Sequence, residues 1–231
     1  MASRATTLTA PRAVRRPRDP EATREAILDA AHRLLARSGP EGVSLSEVAR
    51  LAGVNRGTAY QHFDTREGLI EATVAWASDK LFRAAFGDPE TIGTRRVEEV
   101  DVAGMTDRLT AFAMANPDLG RVWMLQILAS PDPSADKFWG EYVGSLRRFA
   151  ATDLSQDGVD AEVLAVLTLA GTFLWPVWAG AHAGNSAERS AMARRLADET
   201  LRLSLFGSMR AAAFPEIAGR LRGRVESPVT A

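Results

Sequence analysis

Apolar residues recur along most of the chain at helical spacing, and the alternation typical of strands does not appear in the sequence. The first helical pattern begins at Asp19-Pro20, where the aspartate can cap and the proline suits the first helical position, and it ends at Gly39-Pro40. Later patterns predict helices from Leu45 to a turn at Gly53, over 56–62 and 65–86, around Met105 and Val122, and over 138–149, 160–182 and 187–209. The sequence thus predicts an all-α protein of about nine helices.

Two short helices joined by a tight turn are predicted within residues 44–62. Ser44-Leu45-Ser46-Glu47 is a capping box, in which the Ser44 hydroxyl accepts from the amide of Glu47 and the Glu47 carboxylate reaches back to the Ser44 amide. Gly53 can adopt the left-handed conformation that ends the first helix, and Asn55 is a good cap for the second. This arrangement is typical of the helix-turn-helix, whose second helix enters the major groove of DNA.

Charge is distributed unevenly along a chain whose net charge is −1. Residues 1–66 contain 11 Arg and Lys against 7 Asp and Glu, and the remainder carries the compensating acidic excess. A basic end on an acidic body is expected when only that end meets phosphate. Residues 1–18 combine arginines and prolines with few apolar residues and are predicted to be a disordered arm, which either enters a minor groove or is a nonspecific tail.

An ordered string of motifs resembles the N-terminal domain of TetR-family repressors. It runs from Arg24-Glu25-Ala26-Ile27-Leu28-Asp29-Ala30-Ala31 through 44–49 and 52–63 to Arg66-Glu67-Gly68-Leu69, while the rest of the chain is similar to the family in length and helicity. The resemblance implies a DNA-binding domain at 19–66, called the head below, and an effector-binding and dimerisation domain at 67–231, called the body. It also implies a homodimer, a palindromic double-stranded DNA operator and a small-molecule effector.

The resemblance places the DNA contacts in and around the second short helix. Arg56 stands at a groove-facing position, where a guanidinium can bond guanine, and Gln61 can bond adenine. A solvated charge for Arg56 and a core aromatic ring for Tyr60 are the alternatives. Ala59 and Gln61 depart from the family's usual residues, which leaves the operator sequence open. The predicted DNA-binding residues are Ser44, Asn55, Arg56, Gly57, Thr58, Tyr60, Gln61, His62 and Arg66.

Large flexible and aromatic side chains are concentrated between residues 105 and 180. Such a set suits the lining of an apolar pocket and equally the core of a helical domain. As a pocket, it favours an apolar or aromatic effector with Gln126 as a polar contact. The predicted pocket residues are Met105, Phe112, Trp123, Gln126, Trp139, Tyr142, Phe173 and Trp178.

The helices predicted at 160–182 and 187–209 have apolar faces too wide to be buried within one chain. They resemble the four-helix dimer interface of the TetR family, which would present two heads to successive major grooves. The predicted interface residues are Leu167, Gly171, Leu174, Met192, Leu196, Leu203 and Phe206.

Other classes of protein find little support in the sequence. The absence of cysteine excludes disulfides and thiolate zinc sites and fits a reducing cytoplasm. The three histidines lie in separate segments and no Gly-rich phosphate loop is present, so we expect no metal, no cofactor and no enzyme activity. No stretch is expected to approach the roughly 20 apolar residues of a membrane span. A TetR-like activator or nucleoid or division factor without an effector, and an all-α enzyme, are the alternatives.

Overall fold

The computed structural model describes residues 19–92 and 96–225 and is built, over these residues, of α-helices joined by short loops and 3-10 turns. The helices are α1 (Pro20–Ser38), α2 (Leu45–Leu51), α3 (Arg56–His62), α4 (Arg66–Phe86), α5 (Pro89–Ile92), α6 (Val102–Ala115), α7 (Pro117–Ala129), α8 (Lys137–Ala150), α9 (Ala161–Gly180), α10 (Ser186–Gly207) and α11 (Pro215–Val225). The predicted all-α class is confirmed. The arm predicted at residues 1–18 lies outside the described residues.

Two of these helices were not predicted from the sequence. The helix α5 is a single turn, and α11 carries a short apolar stripe interrupted by glycine. Its buried residues Ile217 and Leu221 lie one turn apart and pack with Leu201 and Leu205 of α10. Because Gly219 and other glycines lower helix propensity, only this tertiary contact reveals the helix.

The head and the body are joined through shared helices rather than by a linker. The helix α4 places Leu69 in the head core and Leu81 in the body core, and Val122 of α7 also packs into the head core. Arg121 of α7 donates a long hydrogen bond of 3.5 Å to the carbonyl oxygen of Ala36 in α1. A change in the packing of α4 or α7 therefore directly alters the contacts within the head core.

The expectation that no stretch approaches a membrane span was wrong as to length and composition. The helix α9 has 20 residues and is apolar enough to cross a membrane, and 33% of its most apolar window is buried in the fold. One such helix is weak evidence for a membrane protein, because helices in the cores of soluble proteins meet the same criterion. What the helix adds is a long apolar surface that the described chain only partly covers.

The C-terminal helix α11 is fixed to the body by a three-residue ion-pair network. Arg220 donates to both carboxylate oxygens of Asp107 in α6, each at 2.7 Å, and to Asp198 in α10 at 2.9 Å. The side chain of Asp198 is 4% exposed. The hydrogen bonds from Arg220 to Asp107, followed by those to Asp198, raise the pKa of the guanidinium above its already high ordinary value, so Arg220 keeps its positive charge.

Candidate nucleic-acid interface

The start of α2 shows one half of the predicted capping box. The hydroxyl oxygen of Ser44 accepts a hydrogen bond of 3.2 Å from the backbone amide of Glu47. The Glu47 carboxylate does not return to Ser44 but accepts from Arg50, at 2.6 and 3.0 Å. This pairing, led by the hydrogen bond from Arg50, lowers the pKa of the Glu47 carboxyl. The cap of α2 therefore rests on the serine alone, and the reciprocal contact was wrongly predicted.

The turn between α2 and α3 has the predicted construction. Gly53 has a φ of 64°, the left-handed conformation that costs glycine no steric clash. The amide of Val54 donates to the carbonyl of Ala49 at 3.0 Å, which closes the turn. The Asn55 side-chain oxygen accepts from the amide of Thr58 at 2.7 Å and so starts α3.

The helix α3 has one buried face and one exposed face. Ala59 and Phe63 at the helix end are buried in the head core, and the guanidinium of Arg24 lies 5.0 Å from the centre of the Phe63 ring. No sequence pattern indicated this contact of Arg24, since the two residues are far apart in the chain. The opposite face is exposed and consists of Arg56, Gly57, Tyr60 and Gln61.

Arg56 and Tyr60 form a pair on the exposed face of α3. The guanidinium of Arg56 donates to the Tyr60 hydroxyl at 3.3 Å, and its carbon lies 5.3 Å from the centre of the Tyr60 ring. Tyr60 is 40% exposed, which excludes a role as a core aromatic ring. The contact restricts a long, flexible side chain before any partner arrives, and this lowers the entropy cost of binding.

Four other predicted contacts lie around this pair. Ser44 and Asn55 are exposed although their oxygens cap helices, while Thr58 and His62 are half-buried. The ring of His62 lies 6.5 Å from that of Phe63. The structure thus brings the predicted residues of 55–62 onto one helix, with Ser44 at the start of the preceding one.

Arg66 has a structural role that the sequence did not indicate. Its guanidinium donates to the carbonyl oxygens of Val43, at 3.0 Å, and of Pro40, and it is paired with Glu41 and Glu67. These contacts tie the start of α4 to the loop between α1 and α2. Since most of its donors are engaged within the chain, Arg66 stabilises the head, and its predicted DNA contact stays a prediction.

The basic excess of the N-terminal part does not lie in the folded head. Residues 19–66 contain six arginines and seven acidic residues, whereas residues 1–18 contain five arginines and no acidic residue. The head's own attraction for phosphate therefore depends on where its arginines are placed, because its net charge is slightly negative. By net charge alone, attraction for phosphate is therefore expected more from residues 1–18 than from the head.

The predicted pocket residues are dispersed through the body. Trp123 and Phe173 are buried and pack on each other at 5.1 Å between ring centres, and Tyr142 donates to the Thr168 hydroxyl at 3.2 Å within the same aromatic cluster. Met105, Phe112 and Trp139 pack against this cluster from its edge. Gln126 and Trp178 are exposed. The aromatic rings pack against one another and fill the space between the helices.

The predicted interface residues lie on an exposed apolar surface. Leu167, Leu174 and Gly171 of α9 and Leu203 and Phe206 of α10 are exposed. The side chains of Met192 and Leu196 are half-buried, and Met192 packs beside Trp175. Further exposed apolar residues extend this surface, which we call the α9–α10 face: Val163, Val166, Val177 and Trp178.

A capped helix-turn-helix with a polar exposed second helix, carried on an all-helical body, defines the helix-turn-helix class of DNA-binding regulators. A family model described as bacterial regulatory proteins of the tetR family matches residues 27–73. This match identifies residues 27–73 as an N-terminal domain of the TetR-family type.

The relatives share the head more than the body. The chain is 40% identical over 63 residues to an uncharacterised HTH-type transcriptional regulator of Mycobacterium tuberculosis, covering 27% of this chain and 31% of that one. It is 31% identical over 101 residues to the HTH-type transcriptional regulator BetI of Rhizobium meliloti, covering 44% and 48%. The chain thus matches less than half the length of these relatives.

Solved structures extend the likeness to the whole fold. A gamma-butyrolactone receptor described as an ArpA-like protein superposes with a TM-score of 0.58 at 22% identity, covering 89% of this chain and 98% of that one. A TetR family regulator from Marinobacter aquaeolei has a TM-score of 0.59 at 18% identity, covering 77% and 95%. At such identities the likeness shows the fold alone.

Proposed function

We propose that the chain is a sequence-specific DNA-binding transcriptional regulator, a homodimeric repressor that a small effector releases from a palindromic operator in the cytoplasm. The observation that carries this proposal is the Arg56–Tyr60 pair beside Gln61 on the exposed face of α3. Arginine and glutamine are side chains that bond base edges in a major groove, and a tyrosine hydroxyl can bond phosphate. The fold and the family favour a regulator over an enzyme.

The α9–α10 face supports the dimeric part of the proposal. The exposed leucine and phenylalanine side chains of this face have 61–75% of their surface in contact with solvent, for example Leu203 at 75% and Phe206 at 69%. A contiguous apolar face of this kind marks an interaction surface. A twofold dimer would bury the face and set two copies of α3 toward successive major grooves.

The names of two structural neighbours support an effector: one is a gamma-butyrolactone receptor and one a ketosteroid transcriptional regulator of Mycobacterium tuberculosis. The proposed mechanism is that an effector favours a form in which α4 holds the heads at a spacing that no longer fits the operator. The packed rings of Trp123 and Phe173 favour the second candidate, a regulator without an effector in the body core.

The proposal is tested by selecting DNA bound by the full chain from a random duplex pool. We expect enrichment of one palindromic sequence whose half-sites are about one helical turn apart, as a twofold dimer requires. Binding with no enriched sequence would identify a nonspecific DNA-binding protein and contradict sequence recognition.

Replacing Arg56 by alanine is expected to weaken binding to the selected operator by about 1–3 kcal/mol, the range of one bidentate base contact. Binding to random-sequence DNA should change much less. The measurement is a fluorescence anisotropy titration of both duplexes at one salt concentration. Arg222→Ala, an exposed arginine on α11, is the matched control. Equal losses on both duplexes would assign Arg56 to phosphate instead of to a base.

Deleting residues 1–18 is expected to flatten the salt dependence of DNA binding, since the deletion removes five arginines. Each arginine that meets phosphate contributes about 0.9 to the slope of log affinity against log salt. Anisotropy titrations at several salt concentrations measure the slope. A chain with the five arginines replaced by lysine should keep it. An unchanged slope after the deletion would show that the arm is a nonspecific tail without DNA contacts.

A further inference from the structure

A cleft of about 460 Å³ lies where the head meets the body. Glu25, Asp29 and His32 of α1 form one wall, and Trp76 and Lys80 of α4 and Phe112 of α6 face them. This volume is within the range of sites for small organic molecules. Of the residues predicted to line an effector pocket, Phe112 lies here, at a place where α1 of the head also takes part.

The imidazole of His32 lies in the wall of this cleft. Its side chain is 91% buried, and its Nδ1 atom has no hydrogen-bond partner; the Oδ1 atom of Asp29 is 3.6 Å away, beyond hydrogen-bond length. Burial lowers the pKa of the imidazole, against the opposing charges of Asp29 and Asp118, so the ring is neutral near pH 7. A ligand in the cleft therefore meets a neutral imidazole, which carries one hydrogen-bond donor and one acceptor.

The groups around His32 define the chemistry of a ligand. The ring of Trp76 lies 5.3 Å from the ring of His32 and 5.0 Å from the ammonium of Lys80. The indole thus already makes contact with one planar group and one cationic group. Glu25 and Asp29 supply carboxylate oxygens, which when ionised only accept hydrogen bonds, and Asp29 is also paired with Arg33 at 2.6 Å. A planar ring that carries N–H donors and a ring nitrogen can stack on the aromatic groups and hydrogen-bond to the imidazole and the carboxylates at the same time.

The position of the cleft connects its occupancy to the head. Lys80 of α4 is paired with Glu25 of α1 at 2.6 Å across the cleft. A cationic ligand competes with Lys80 for this carboxylate and thereby alters the contact between α1 and α4. Because α1 and the first turn of α4 both belong to the head core, the change reaches α3 through packed elements.

We propose that this junction cleft binds a small aromatic amine or amino-heterocycle, and that its occupancy changes the affinity of the head for DNA. The binding site stands on the cleft and on His32, whereas the regulatory effect rests on the proposed function as a DNA-binding protein. The two parts are therefore tested separately.

The binding site is tested by calorimetric titration of the full chain, without DNA, with 2-aminobenzimidazole as the probe. We expect a dissociation constant of about 1 mM or tighter, with benzoate of the same ring size at least about tenfold weaker. No heat of binding at that concentration would overturn the site, and equal binding of benzoate would overturn the assigned chemistry.

Two variants locate the probe, each with a matched control elsewhere in the chain. His32→Leu should weaken binding about tenfold, as expected for one buried hydrogen bond, while the exposed His182→Leu should not. Lys80→Met should strengthen binding up to about fivefold by freeing Glu25. Lys137→Met is its control, since Lys137 pairs with Asp79 at 2.8 Å and covers the Phe82 ring at 4.5 Å. Unchanged affinity in both cleft variants would overturn the assignment; the gain in Lys80→Met remains decisive if His32→Leu does not fold.

The regulatory part is tested by repeating the operator titration with saturating 2-aminobenzimidazole. We expect the DNA affinity to change about fivefold or more, which is the lower end of the usual range for coupled sites, and to change less in His32→Leu at the same probe concentration. If the probe binds and the DNA affinity does not change, the proposed regulation is overturned, but the proposed binding site stands. A chain that binds no DNA without the probe would contradict the proposed function and leave the binding result intact.

Discussion

Arg220→Ala is expected to lower the free energy of unfolding by about 3 kcal/mol, because it removes the cation from a network that includes the buried Asp198. The loss should lie at the lower end of the range for buried pairs, since Arg220 and Asp107 are partly in contact with solvent, which screens their share of the interaction. Urea unfolding followed by circular dichroism measures the change as a lower midpoint at constant slope.

The control for this variant is Arg222→Ala, which removes an exposed arginine from the same helix and should change stability by less than about 0.5 kcal/mol. Replacing both Arg220 and Asp198 by apolar residues should recover much of the loss, because the buried carboxylate that loses Arg220 is then removed as well. Equal effects of the Arg220 and Arg222 variants would show that α11 is held by Ile217 and Leu221 alone.

Local signals in the sequence predicted most of the fold. Caps and helix ends depend on a few neighbouring residues. Asn55 caps the start of α3, and Gly53 forms the turn after α2, as expected from their own conformational preferences. The position of α11 depends instead on contacts with α10 and on an ion pair to Asp107, 113 residues away. No pattern within the helix itself carries that information.

The charged side chains of the head were harder to predict than its helices. Glu47 and Arg66 each have several partners within reach, and the free energies of these alternatives differ by little. Glu47 pairs with Arg50 on its own helix, and Arg66 turns toward carbonyl oxygens of the preceding loop. The sequence identifies such residues as charged but does not select the partner, whereas the apolar residues of α3 have a single buried side to occupy.

The effector site could not be placed from composition because pockets and helical cores use the same side chains. Trp123 and Phe173 were expected to line a pocket, and the structure packs them against each other. His32 and Trp76 occur in helices with ordinary amphipathic patterns and were not singled out. What distinguishes them is the space between α1 and α4, which depends on how the head packs on the body.

Phe206→Glu combined with Leu203→Glu is expected to convert the chain to a monomer and to reduce operator affinity by about 10²–10⁴-fold. The two side chains are among the most exposed apolar groups of the α9–α10 face, and two carboxylates from each chain would meet across a twofold axis. Loss of the dimer removes the second head, and with it the gain from two linked contacts on one DNA. Light scattering after size exclusion measures the mass, and anisotropy measures DNA binding.

The matched control is Leu128→Glu on α7, a leucine that is 75% exposed like Leu203 but lies outside α9 and α10. It should leave both the mass and the operator affinity unchanged. In the double variant, binding to a single half-site should also be retained, since α3 and its Arg56–Tyr60 pair lie in the head, away from the substituted helix. A dimer that persists in the double variant would move the interface away from this face, whereas a monomer that still binds the full operator as tightly would show that one head suffices. The half-site measurement separates these results from simple misfolding, because an unfolded head would lose every DNA contact together.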